Sequence, residues 1–181
     1  PPVGPKVKPP VVGAVSLIHR KFLQKVGDTM IFYDFEVFAY DWLVVLIDLN
    51  AKQETVIIND PDKLKGFYES HKETIWAGYN SRHYDQFILK GILCGFNPKK
   101  VNDWIILDDK PGYRFSSLFR NFPLINYDVM PNPPISLKAL EAFMGHSIKE
   151  TTVPFDIDRP LTEAELAETV KYCRHDDGRN C

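Results

Sequence analysis

Residues 30–38, MIFYDFEVF, constrain the fold most strongly, because their apolar character predicts a strand and yet they include two acids. Side chains alternate along a strand, so Asp34 and Glu36 share one face while the apolar residues around them occupy the other. At a rise of about 3.3 Å per residue the two Cα atoms lie about 6.6 Å apart, and carboxylates at that spacing can bracket a divalent cation. The alternative is a half-exposed strand with its acids in solvent, so a metal site requires further ligands elsewhere.

Composition and charge narrow the class of protein. The 181 residues are 44% hydrophobic, which is enough apolar material for one domain with one core. The formal net charge of −2 excludes a global basic field, so any nucleic-acid contact must be local. The longest aliphatic run, residues 42–47, is far too short to cross a bilayer, and the sequence shows no secretory signal. We therefore expect no membrane partner and a cytoplasmic location.

The cysteines indicate a reducing compartment. Cys94, Cys173 and Cys181 are widely spaced and include no Cys-x-x-Cys pair, which argues against a structural zinc site. Each is interpreted as a small buried hydrophobe or a loose terminal thiol.

The N-terminal segment is predicted to be an arm. The first ten residues, PPVGPKVKPP, contain five prolines, which favour extended polyproline II over helix or central strand. Residues 1–28 are therefore predicted to be a tail or linker, and residues 29–181 the folded domain. Because the first residue is not methionine, we expect a processed product or a piece of a longer chain.

The pattern of the remaining segments predicts an α/β domain with a mixed sheet. Short connections join strands at residues 30–38, 42–50 and 55–59, which favours an antiparallel meander. The elements predicted next are a helix at 60–72, a strand at 74–80, a helix at 84–94 capped by Asn80 or Ser81 and closed by Gly95, a short helix at 103–107, a strand at 123–130 and a helix at 136–144.

The last helix has the sharpest start signal. Thr162 and Glu165 form a capping box, and leucines occupy the hydrophobic staple positions on either side. The helix that starts at Thr162 carries Tyr172 and Asp176, which are four residues apart and therefore share a face.

A third acid, Asp85, follows the predicted fourth strand at the start of a helix. Asp34, Glu36, Asp85 and Asp176 could then meet at one end of the sheet. Each also has a simpler interpretation: Asp85 as a first-turn acid favoured by the helix dipole, and Asp176 as a solvated acid beside Asp177.

Three motifs now appear in order: D-x-E on the first strand, N-x3-Y-D after the fourth, and Y-x3-D on the last helix. They resemble the exonuclease motifs of the proofreading domains of DNA polymerases, in the tyrosine subtype of the DEDD superfamily. Within that family, the sequence most resembles bacteriophage polymerases of the family B type, and the stretch SLKALEAFMG is part of this resemblance. The resemblance spans residues 30–177. It implies a ribonuclease H-like fold, with a mixed five-stranded sheet and flanking helices, and 3′-to-5′ removal of nucleotides from DNA.

The resemblance also implies a cofactor and residue roles. An all-oxygen donor set without His or Cys suits two divalent cations, Mg²⁺ or Mn²⁺, rather than zinc. Asp34 would bridge the two ions, about 3.5–4 Å apart. Glu36 and Asp176 would complete the site of the ion that activates water, and Asp85 would hold the second ion through its water shell. Tyr172 would orient the attacking water.

Substrate contacts are implied at two further positions. Asn80 and Tyr84 match family positions that touch the single-stranded 3′ end of DNA, although core packing is an equal alternative for Tyr84. Five basic residues are candidate phosphate contacts by charge alone, and the alternative for each is solvated surface: Arg82, His83, Lys99, Lys100 and Lys138.

The sequence departs from the family pattern in two places. Val37 follows the first-motif Glu, where many members have Thr, and the chain ends shortly after the third motif. We therefore expect the polymerase domain of a parent chain as partner, and the bacterial host cytoplasm as location if a phage encodes it. The alternatives are a nuclease-inactive nucleic-acid-binding or docking remnant and a stand-alone DEDD ribonuclease.

Overall fold

Five strands form a mixed sheet in the computed structural model, which describes residues 30–135 and 152–176, with side chains up to Cys173. The strands are β1 (Met30–Val37), β2 (Trp42–Asp48), β3 (Gln53–Ile58), β4 (Ile75–Gly78) and β5 (Ile125–Asp128). Their order across the sheet is β3-β2-β1-β4-β5, with β1 to β3 antiparallel and β4 and β5 parallel to β1. The predicted antiparallel meander and the predicted α/β class with a five-stranded mixed sheet are confirmed.

Helices flank the sheet. They are α1 (Pro61–His71), α2 (Asp85–Leu93), α3 (Pro98–Ile106) and α4 (Glu163–Asp176), with 3-10 helices at Gly112–Arg114 and Ser117–Asn121. None of the described helices is long and apolar enough to cross a membrane. The helix predicted at residues 136–144 lies outside the described residues.

The two faces of β1 differ as its sequence predicts. Tyr33, Phe35 and Val37 are buried in the main core, which β1 and β2 share with α1, α2 and α3. Asp34 and Glu36 are half-buried on the opposite face. The alternation of apolar and acidic residues therefore separates the core side of the strand from the side that carries the acids.

The acidic face of β1 lies toward α4. Asp34 and Glu36 pair across the sheet with Val45 and Leu43, and these two residues of β2 belong to a second apolar cluster that includes Cys173. Partners in a register share a face of the sheet. The packing of α4 on β2 therefore brings α4 to the same face as the two acids.

The capping box of α4 is confirmed. The Thr162 backbone N–H donates to Glu165 Oε2 at 2.8 Å, and the Glu165 N–H donates back to Thr162 Oγ1 at 3.3 Å. Leu161 is buried beside Phe38 and Leu166 packs against the same cluster, which confirms the predicted staple. These contacts fix where α4 begins and hence which of its residues face the sheet.

The prediction for the start of α3 is wrong. The helix begins at Pro98, five residues before position 103, because the Asn97 side chain caps it by accepting the Lys99 backbone N–H at 2.8 Å. Asparagine followed by proline at the first turn is a favourable helix start that outweighed the apolar periodicity at 103–107.

The predicted cap of α2 is also wrong, although its end is confirmed. The N-cap position is Tyr84, which makes no side-chain capping bond, and residues 79–84 form turns between β4 and α2. Asn80 has a φ of +56°, a left-handed conformation that asparagine tolerates better than most residues, so it shapes the turn instead of capping the helix. Gly95, at a φ of +79°, closes α2 as predicted.

Gly78 and Gly66 form a matched pair for testing the packing of β4 on β1. A Cβ atom added at Gly78 would lie 2.8 Å from the Tyr33 carbonyl oxygen, whereas one at Gly66 would meet no neighbouring element within 4 Å. We expect Gly78→Ala to destabilise the fold by about 1–3 kcal/mol, because a strand backbone cannot swing away. Gly66→Ala should stabilise it by about 0.5–1 kcal/mol. Urea unfolding measures both changes, and an unchanged midpoint for Gly78→Ala would contradict this packing.

Candidate functional site

A groove of about 660 Å³ opens where β1, the β4–α2 connection and α3 meet. It is lined by both acids of β1, by Asn80, Tyr84 and Asp85, by one side of α3, and by Phe155 and Asp156. The fold therefore brings five of the predicted site residues to one place, namely Asp34, Glu36, Asn80, Tyr84 and Asp85.

A hydrogen bond explains why Asp85 reaches the acids of β1. Asp85 Oδ1 accepts the Phe35 backbone N–H at 3.0 Å, and residue 35 lies between Asp34 and Glu36 on the strand. The N–H of Phe35 belongs to the strand backbone between the two acids, so a group that bonds to it is held near both of them. The first turn of α2 is thereby attached to β1, although 50 residues separate the partners in sequence.

Asp85 is a buried carboxyl group, with only 3% of its surface exposed. Burial raises the pKa of Asp85 to about 7, against the lowering effect of the backbone donors of Phe35 and of Asp85 itself, and the charge of Asp128 raises it further. Among the described residues, no lysine, arginine or histidine forms an ion pair with it. A bound cation would therefore stabilise its charged form, which no basic side chain in this part of the chain does.

Cys173 joins the two acids of β1. One ligand atom from each of Asp34, Glu36 and Cys173 lies within 4.8 Å of the other two, and Cys173 Sγ is 3.9 Å from Glu36 Oε1. The thiol comes from the face of α4 that packs on the sheet, so a sulfur atom lies beside the two predicted carboxylate ligands. The all-oxygen donor set stays a prediction. The position of Cys173 three residues before Asp176 could have drawn attention to this thiol, since residues three apart on a helix are neighbours.

The third motif is placed only in part. The ring of Tyr172 is half-buried and packs against the apolar cluster that α4 forms with β2, and Tyr172 is not among the residues that line the groove. Asp176 belongs to the last turn of α4, but its side chain lies outside the described part of the chain. The water-orienting and fourth-ligand roles of these two residues stay predictions.

Tyr84 has a dual position. Its ring packs against the main core and also lines the groove, and its hydroxyl donates to Asn102 Oδ1 at 2.7 Å. Burial raises the pKa of Tyr84 well above its usual range, and the neighbouring acids, Asp85 first among them, raise it further. The hydroxyl therefore stays protonated and acts as a hydrogen-bond donor.

The partners of Tyr84 on α3 extend this network along the groove. Asn102 Nδ2 donates to Asp103 Oδ1 at 3.0 Å, and Lys99 forms an ion pair with the same oxygen. The sequence reasoning missed Asn102 and Asp103, because it began the helix at residue 103. A start at Asn97 and Pro98 would have placed residues 99, 102, 103 and 106 on one side of the helix.

The groove has a strongly acidic lining. Its described residues include the acids Asp34, Glu36, Asp85, Asp103 and Asp156, against the single cation Lys99. Of the other basic candidates, Arg82 and His83 line a separate groove of about 500 Å³, and Lys138 lies outside the described residues. These acids would repel an anionic phosphate unless divalent cations neutralise them. Carboxylate oxygens are ligands that such cations prefer, so the lining fits a divalent cation.

Asp41 anchors the segment that leads into α4. Its buried carboxylate accepts the Leu161 backbone N–H at 2.7 Å and the Asn59 side-chain amide at 2.6 Å. Asp41→Ala leaves both donors without an acceptor, so we expect a loss of about 2–3 kcal/mol in the free energy of unfolding, measured in urea. The control is Asp62→Ala, at an exposed first-turn acid of α1, which should cost about 0.5 kcal/mol or less. Equal losses in the two variants would contradict an anchoring role.

These contacts stand without support from known proteins. No protein-family model matches the chain, and no curated protein and no solved structure matches it significantly.

Proposed function

We propose that this chain is the 3′-to-5′ exonuclease domain of a phage-type DNA polymerase, with a ribonuclease H-like fold, and that it removes nucleotides from DNA 3′ ends by metal-dependent hydrolysis. The observation that carries the proposal is the meeting of Asp34, Glu36 and Asp85 in one groove. Two separate motifs of the sequence supply these acids, and the Phe35 N–H bond holds them together. If the strand acids were only solvated and Asp85 only stabilised a helix dipole, the fold would not need to bring them into one groove.

The sheet supports the fold part of the proposal. Its order β3-β2-β1-β4-β5, with an antiparallel meander followed by two parallel strands, is compatible with a ribonuclease H-like fold. In this arrangement the acids of β1 lie on the central strand, and the β4–α2 connection follows the parallel strand next to it. The central strand and its parallel neighbour thus supply both acidic motifs from adjacent positions.

The lining of the groove suits a single-stranded end. Its volume of about 660 Å³ is that of a small-molecule site, large enough for about one or two nucleotides and too small for a duplex. Phe155 is 49% exposed and stacks on Phe38 with ring centroids 5.2 Å apart, so it offers an apolar surface on which a base can stack. Asn80 and the hydrogen-bonded Tyr84 would position the terminal nucleotide.

The residues of the chain divide the chemical work. Asp34, Glu36 and Asp85 would hold divalent cations, which when bound acidify water and neutralise the phosphodiester. With cations bound to the acids, the groove would attract phosphate instead of repelling it. By the motif, Tyr172 would orient the attacking water and Asp176 would add a fourth carboxylate.

The test is cleavage of a 5′-labelled single-stranded DNA and of its RNA counterpart, with Mg²⁺ or Mn²⁺ and with EDTA. We expect a ladder that shortens from the 3′ end of DNA and disappears in EDTA. Equal or faster cleavage of RNA would favour the stand-alone ribonuclease. A folded protein that binds DNA but yields no ladder with either metal would contradict the proposal and favour a nuclease-inactive binding remnant.

A further inference from the structure

Cys173, which is not among the lining residues of the groove, places a sulfur donor beside Asp34 and Glu36 that neither Mg²⁺ nor Mn²⁺ needs. The residue is fully buried, and its sulfur atom and the carboxylates of Asp34 and Glu36 lie within 4.8 Å of one another. Hard cations such as Mg²⁺ prefer oxygen ligands, whereas thiolate selects softer metals such as Zn²⁺. The donor set is therefore mixed in chemistry, and the choice of cation depends on the thiol.

The distance between Cys173 and Glu36 is close to that of two ligands of a tetrahedral ion. With Zn–S near 2.3 Å and Zn–O near 2.1 Å, a tetrahedral angle separates the sulfur and oxygen ligands by about 3.6 Å. Cys173 Sγ and Glu36 Oε1 are 3.9 Å apart, so a shift of a few tenths of an ångström brings both into coordination. The ligand atom of Asp34, within 4.8 Å of both, completes the group of three.

Asp85 adds a further carboxylate to the groove, outside the group formed by Asp34, Glu36 and Cys173. Asp85 comes from a different element, has 3% of its surface exposed, and lines the same groove. One of its oxygens accepts the Phe35 N–H, and no basic side chain in the described residues forms an ion pair with it. A buried carboxylate in this position is a further anionic group that a bound cation would compensate.

We propose that Cys173, Asp34 and Glu36 form a binding site for a thiophilic divalent cation, Zn²⁺ or Cd²⁺, which this site takes in preference to Mg²⁺. On binding, the Cys173 thiol loses its proton to solvent and the sulfur forms a bond to the metal. The inference rests on the proposed function only in that it uses the same two carboxylates. Because the carboxylates are shared, Zn²⁺ and Mg²⁺ exclude each other, and zinc acts as a competitive inhibitor of magnesium binding.

The experiment follows the metal directly. A Cys94→Ser, Cys181→Ser protein keeps Cys173 as its one thiol. Reduced protein is titrated with Cd²⁺, and the ultraviolet charge-transfer absorption of a cadmium–thiolate bond is recorded. We expect a saturating signal at one equivalent, absent after the further change Cys173→Ser. Calorimetry with Zn²⁺ should show affinity lower by about 10–100-fold in the serine variant.

The outcomes separate this inference from the proposed function. No charge-transfer signal in the single-thiol protein, or a signal that persists after Cys173→Ser, would overturn the cation site. Circular dichroism checks folding; if the serine variant does not fold, Asp34→Asn in the single-thiol protein should weaken Cd²⁺ binding about 10-fold or more, and unchanged affinity would overturn the site. If the protein cleaves DNA with Mg²⁺ but shows no cadmium–thiolate absorption, only the cation site is overturned. If the absorption appears without DNA cleavage, only the proposed nuclease function is overturned.

Discussion

Asp34→Asn should lower the rate of metal-dependent DNA cleavage by a factor on the order of 10³ or more. Asp34 is half-buried on the central strand and lines the groove together with Asp85 and Glu36. Asparagine preserves the size of the side chain but removes the negative charge that a divalent cation requires. Because the side chain faces away from the main core, the substitution leaves the packing of β1 intact. The measurement is single-turnover cleavage of 5′-labelled single-stranded DNA with saturating Mn²⁺.

The matched control is Asp62→Asn, which makes the same chemical change at an exposed position in the first turn of α1. It should cleave at the wild-type rate. Both variants should also unfold at nearly the same urea concentration as wild type, so that a lost rate is not a lost fold. Cleavage by Asp34→Asn within about tenfold of the wild-type rate would remove Asp34 from the metal site and with it the proposed mechanism.

Local sequence signals predicted the elements that carry the site. The period-2 alternation of β1 separates Asp34 and Glu36 from the buried residues between them, and this follows from strand geometry alone. The Thr162–Glu165 capping box defines the start of α4 for the same reason, since capping involves only neighbours in sequence. Such features depend on a few consecutive residues and need no knowledge of the fold.

The contacts that make the site depend on long-range packing, and the sequence could not supply them. The bond from Phe35 to Asp85 spans 50 residues, and the approach of Cys173 to Glu36 spans 137. The spacing of Cys173 and Asp176 places them on neighbouring positions of one helix, but it does not show that the thiol lies near Glu36. Only the way α4 lies across β2 turns that thiol toward the acids. The elements that carry the acids were therefore predicted from the sequence, whereas the contact of Cys173 with Glu36 was not.

Asp85→Asn should stabilise the metal-free protein at alkaline pH, because the wild type must then bury an ionised carboxylate. Burial raises the pKa of Asp85 from 3.8 to about 7. A folded-state pKa above the unfolded value means that the folded protein binds the proton more tightly. The contribution of Asp85 to stability is therefore greatest in acid, falls as pH rises from about 4 to 7, and levels off above that range. At pH 8 the full shift corresponds to about 4 kcal/mol.

Asparagine keeps an oxygen that can accept the Phe35 N–H but has no charge to bury. In EDTA, urea unfolding should show the two proteins nearly equal at pH 4 and Asp85→Asn more stable by about 4 kcal/mol at pH 8. Mn²⁺ should narrow this difference at pH 8, because a cation that binds ionised Asp85 stabilises the wild type more than the variant. Parallel pH curves in EDTA would show that Asp85 does not titrate in this range. If Mn²⁺ leaves the difference in free energy of unfolding between the two proteins unchanged, Asp85 contributes nothing to cation binding. The buried carboxylate would then destabilise the metal-free protein without holding a metal.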